Sequence, residues 1–140
     1  MADTFPKQSI TSELARRMIS AAEDKARELG VPMNIAVVDE SGVLKTFSRM
    51  DGAALLSVQI AQDKAYTAVG FGMPSHAWHD FIKNDPPLAA GAPSGIDRLV
   101  IFGGGYPIAV EGAVVGGSGV SGGHYSQDQE VAEAGLAVLD

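Results

Sequence analysis

The chain has 140 residues, 46% hydrophobic and 19% charged, a composition that fits one globular domain over 1–140 and excludes disorder. Its formal charge of −7 argues against a nucleic-acid backbone or an anionic membrane surface as partner. The absence of cysteine excludes disulfides, thiol nucleophiles, iron–sulfur clusters and thiolate zinc sites. MADTFPKQSI has no apolar signal core and no apolar run is long enough for a bilayer span, so a cytoplasmic location is expected.

Residues 9–29 read as an amphipathic helix, with Ile10, Leu14, Met18, Ala22 and Leu29 on one face. Ser9 or Thr11 caps its start and Gly30 followed by Pro32 stops it. Two β-type runs follow, 34–39 and 43–48, joined as a hairpin by Glu40-Ser41-Gly42. A second helix is predicted over 53–69, where Ala54, Val58, Ala61, Ala65 and Ala68 make a stripe of small residues suited to close packing. A short helix is expected from Pro74 to about Ile82, then a Pro- and Gly-rich loop over 84–95. Three further β-runs, 99–102, 106–110 and 113–120, are separated by Gly103-Gly104-Gly105 and Glu111-Gly112. A last helix begins near Ser126, with Gln129 as capping-box partner. The expected order is α-β-β-α-α-β-β-β-α, an α+β domain with a five-stranded antiparallel sheet and helices packed on it.

Two glycine motifs mislead. Gly117 to Gly122 matches G-x-G-x-x-G, but the parallel βαβ unit and the later acidic residue of a dinucleotide fold are missing. Gly119 to Gly123 matches G-x-S-x-G, yet no histidine follows His124 to complete a hydrolase triad.

Four groupings could carry chemistry. Ser121-Gly122-Gly123-His124 leads into a helix N-terminus, where amides favour an anion and an imidazole titrates near neutrality; a capped helix with a surface histidine explains it equally well. Ser57, Lys64 and Thr67 share one face of the second helix, where the lysine is either a carboxylate anchor and base or a snorkelling surface side chain. Arg49 suits a carboxylate clamp, while Asp51 reads more simply as a helix cap. His76 and His79 stand three apart beside Asp80; they do not make a metal site alone, but either suits haem iron, as does His124.

Three segments carry a resemblance: AVVDESGVLKTFSRMDGA (36–53), SVQIAQDKAYTAVGFGMPS (57–75) and FGGGYPIAVEGAVVGGSGVSGGHYSQDQEVAEAGL (102–136). Together they resemble the family of the haem-binding protein of streptomycetes, the GlcG protein and the C-terminal domain of PduO-type proteins. The resemblance spans roughly residues 9–139. It implies a five-stranded antiparallel sheet in an α+β domain of profilin/PAS-like architecture, a homo-oligomer, and haem or another tetrapyrrole as ligand. The matching positions are Asp39, Arg49, Asp51, Gly52, Lys64, Thr67, Gly104, Pro107, Gly119, Ser121, Gly122, Gln127 and Asp128.

Binding of haem or a related small anionic ligand is therefore the first expectation. Arg49, Asp51, Lys64, Thr67, Ser121, Gly122, Gly123 and Gln127 are its candidate contacts. The residues themselves require no cofactor, and the alternative is an isomerase- or lyase-type enzyme on a carboxylate metabolite. His124 would then be acid and base, with Arg49 or Lys64 as anchor. A structural, operon-accessory oligomer is the third reading.

Overall fold

The computed structural model describes residues 2–139. Helix α1 (Ser12–Leu29) starts where the Thr11 hydroxyl accepts from the Leu14 amide, and ends at Gly30, whose φ is 72°. Strands β1 (Asn34–Asp39) and β2 (Leu44–Arg49) form the hairpin. Helices α2 (Leu56–Phe71), α3 (Ala77–Ile82) and α4 (Pro86–Gly95) follow, then strands β3 (Gly105–Val110) and β4 (Ala113–Ser121). The described chain ends with α5 (Tyr125–Leu136) and a 3-10 turn at Ala137–Leu139.

The sheet has four strands, ordered β2-β1-β4-β3 and antiparallel throughout, not five. The predicted strand at 99–102 is an irregular strap, because hydroxyl groups take the backbone partners that a neighbouring strand would supply. Thr67 Oγ1 donates to the Arg98 carbonyl and accepts from the Val100 amide, each at 3.0 Å. Ser75 Oγ donates to the Phe102 carbonyl at 2.7 Å and accepts from the Gly105 amide at 2.9 Å.

The expected element order is also corrected, because the stretch read as a loop contains α4. Its prolines Pro86 and Pro87 sit in the first turn, where a missing N–H costs nothing, and Asp85 caps the Leu88 amide.

Alternation in the strands fixes the two faces. Ile35 and Val37 join Met18, Ala22, Val120, Val131 and Ala132 in a core beneath α1 and α5. Ala36 and Val38 point the other way, onto Ala61 and Ala65 of α2. Ala61 and Ala65 of the small-residue stripe thus lie against the sheet itself, while Ala54 is exposed and precedes α2. A side chain at Gly119 would run into the Ala61 carbonyl, and one at Gly117 into that of Ala65.

That close approach makes Gly119→Ala destabilising by about 1–3 kcal/mol or more, although alanine favours strand geometry over glycine. Chemical denaturation of the two proteins measures the difference.

Candidate functional site

The strap, α3 and α5 enclose a cleft of about 540 Å³. His76 stands at the start of α3, with no capping hydrogen bond from its side chain, and His79 lies one turn on, so both imidazoles reach the same side. Ile101, Phe102 and Gly103 of the strap face them, and Tyr125 and Gln129 of α5 close the third side. Of these residues the sequence singles out His76 and His79, places Ile101 and Phe102 in a strand, Gly103 in a turn and Gln129 in a helix cap, and gives Tyr125 no role. No strong sequence signal marks them as one cleft, since they converge only when the strap is folded over α2.

Behind the strap sits Lys64, with no exposed side-chain surface. Its Nζ donates to Asp128 Oδ2 at 2.8 Å and to the Val120 carbonyl at 2.9 Å, and lies 5.1 Å from the centre of the Phe102 ring. Burial pulls the Lys64 ammonium below its usual range, and the charge and hydrogen bond of Asp128 oppose that shift. Asp128 Oδ1 accepts from the Gly123 amide at 3.0 Å. The amide that an anionic ligand would need at this turn is therefore occupied by the chain's own carboxylate.

The other sequence-derived candidates are dispersed. Thr67 is buried and holds the strap through Arg98 and Val100. Arg49 and Asp51 are exposed and line a separate depression of about 310 Å³ with Glu23 and Arg27. Across the sheet, Arg49 and Ser121 both pair with Asn34, which sets their backbones two strand spacings apart, about 10 Å. Ser121 is buried.

His124 is the N-cap of α5, its Nδ1 accepting from the Ser126 amide, while Gln127 Oε1 accepts from the His124 amide at 3.1 Å. Gln127 rather than Gln129 is thus the capping-box partner. Gln127 also crowds Gly123, where a side chain would overlap its amide oxygen. His124 stacks on Tyr125 with ring centres 4.0 Å apart, so it borders the cleft without lining it. Gly122 packs on the Pro32 carbonyl and Met33. Lys64, Arg49 and His124, the proposed proton-transfer set, do not share a cavity.

A further concavity of about 270 Å³ lies between Tyr66, Phe71, Trp78 and Arg98. Arg98 adopts a left-handed φ of 64°, ion-pairs with Asp63 at 2.8 Å and stacks on Tyr66. Among the described residues, no group of three His, Cys, Asp or Glu side chains is placed to hold a metal ion. No helix among them is long and apolar enough to cross a membrane.

Residues 10–137 match the family described as haem-degrading protein HbpS-like. The chain belongs to the HbpS-like family. It is 39% identical to an uncharacterised 15.0 kDa protein of the dhaT–dhaS intergenic region of Citrobacter freundii, over 91% of this chain and 90% of that one. It is 33% identical to the corrinoid adenosyltransferase PduO of the same species, over 96% of this chain, and spans 40% of that protein's length. The crystal structure of a PduOC–haem complex superposes with a TM-score of 0.88 at 31% identity, covering 94% of this chain and 96% of that one. The HbpS-like assignment agrees with the resemblance carried by the three sequence segments.

Tyr106 packs edge-on against His76, ring centres 5.8 Å apart, without lining the cleft, and its hydroxyl donates to Glu133 at 3.0 Å. Burial, then the hydrogen bond and charge of Glu133, push the Tyr106 phenol up to about 12 from 10.0. Between those two pH values the unfolded chain loses this proton and the folded chain keeps it. Stability from Tyr106 is therefore intact below pH 10 and falls as pH rises toward 12. Ultraviolet titration of the three tyrosines, with Tyr106→Phe as control, should lose its highest-pH phenolate step in the variant.

Proposed function

We propose that this chain binds haem, or a closely related planar tetrapyrrole, in the cleft of His76, His79, Phe102 and Tyr125. The observation that carries this reading is the pairing of two exposed imidazoles with aromatic and aliphatic walls in one cleft. Imidazole is a common axial ligand of haem iron, so the donor set fits the group. The PduOC–haem complex, at 31% identity over most of both chains, supports the same class of ligand here.

In this reading Phe102, Tyr125 and Ile101 would take the apolar macrocycle out of water, and His76 or His79 would hold the iron through an imidazole nitrogen. Gln129 offers an amide to a polar edge. The anionic propionates would stay at the solvent side, away from Asp80, which also lines the cleft. Bound haem would supply an iron centre capable of redox and small-ligand chemistry. The small-enzyme alternative has weaker support, because its three named residues lie apart.

Haemin titration followed at the Soret band tests the assignment. His76→Ala/His79→Ala should weaken binding by about tenfold or more, ~1.4 kcal/mol, while Arg49→Ala leaves it within twofold. Equal affinity in the double variant and wild type contradicts the reading.

The assembly reading rests on Leu55 and Leu56 at the start of α2, 82% and 77% exposed. We propose that a second copy covers them. Light scattering should give a multiple of the chain mass for wild type and a smaller mass for Leu55→Glu/Leu56→Glu. An unchanged mass contradicts this interface.

A further inference from the structure

The buried pair stands behind two of the three sides of the cleft, although neither of its members lines it. One wall is the strap. Phe102 lies over Lys64 Nζ, and Gly104 approaches so closely that a Cβ there would come within 2.8 Å of the same nitrogen. The Gly104 carbonyl accepts from the Val120 amide, and the Val120 carbonyl accepts from Lys64, so strap, β4 and ammonium are joined in one set of contacts. The other wall is the first part of α5. Asp128 holds the ammonium from that helix, between Tyr125 and Gln129, which face the cleft. Gln129 in turn lies against Gly103, where any side chain would collide with its amide.

We infer that Lys64 and Asp128 are a positioning pair that sets the separation of the strap from α5, and through it the affinity of the cleft for its ligand. The inference deepens the haem reading and rests on it for the identity of the ligand. The 2.8 Å ion pair is the shortest polar link between α2, under the strap, and α5. A neutral pair of similar size fills the same volume but supplies no directional tie. The walls would then separate or slide while the core stays packed.

The test compares wild type with Lys64→Met/Asp128→Leu and with Asp128→Asn. The asparagine retains an oxygen for the Gly123 amide but replaces the oxygen that accepts from Lys64 with an amide NH2, so it removes both the charge and that hydrogen bond. Haemin affinity is one readout. The other is hydrogen exchange at the Gly105 amide, whose acceptor is Ser75 and not the pair, with β1 amides as the reference for global stability.

We expect the double variant to hold β1 protection at the wild-type level, exchange Gly105 about tenfold faster, and bind haemin about tenfold more weakly. Asp128→Asn should shift both in the same direction, and it carries the test if the double variant does not fold. Wild-type exchange at Gly105 and wild-type affinity in a folded variant overturn the inference. If wild type itself binds no haemin while Gly105 exchange still rises in the variants, the positioning role holds and the haem reading fails.

Discussion

Moving an ammonium and a carboxylate out of water costs several kcal/mol per ion, and breaking such a pair by removing one partner costs about 3–5 kcal/mol. Lys64 and Asp128 tolerate burial because each has a second partner, the Val120 carbonyl for the lysine and the Gly123 amide for the aspartate. The consequences extend outward from that point. The pair links α2 to α5 across the end of β4, and the glycines of the strap and of β4 are small because backbone must pass close to it and to α2. With a Cβ at Gly104 or Gly119, neither the ion pair nor the helix–sheet contact could keep its spacing.

The cleft is a product of the same arrangement. Its apolar wall exists because residues 99–102 are held by Thr67 and Ser75 rather than by a fifth strand, which leaves Ile101 and Phe102 turned toward α3 and α5. The two exposed histidines then share one cleft with aromatic surface. The proposed haem reading rests on this feature, within a chain of the HbpS-like family. Arg49 and Asp51 belong to a separate depression with Glu23 and Arg27.

Much of the fold was legible from the sequence because it depends on periodicity and caps. Thr11, Gly30, the 34–49 hairpin and the small-residue stripe of α2 each carry a local signal that tertiary contacts reinforce. The fifth strand was a misreading with a clear cause: Leu99 to Phe102 are strand formers, but the hydroxyls that capture their backbone lie more than 20 residues away. α4 was hidden by prolines whose first-turn position only its geometry reveals. At the site, Lys64 and Asp128 were visible as family positions, yet a lysine 64 residues from its partner carries no sign of pairing with it. His124 looked like an acid–base group, and its ring nitrogen is engaged as a helix cap. His76 and His79 were recognisable as a pair; their aromatic surroundings were not.

The most direct measurement of the central claim is a ¹⁵N–¹H correlation spectrum of the labelled protein with and without gallium protoporphyrin, a diamagnetic planar stand-in for haem. Ring-current shifts centred on Ile101, Phe102, Gly103, Tyr125 and Gln129 are predicted. Shifts centred instead on Tyr66 and Arg98, or on Arg49 and Asp51, would contradict the account.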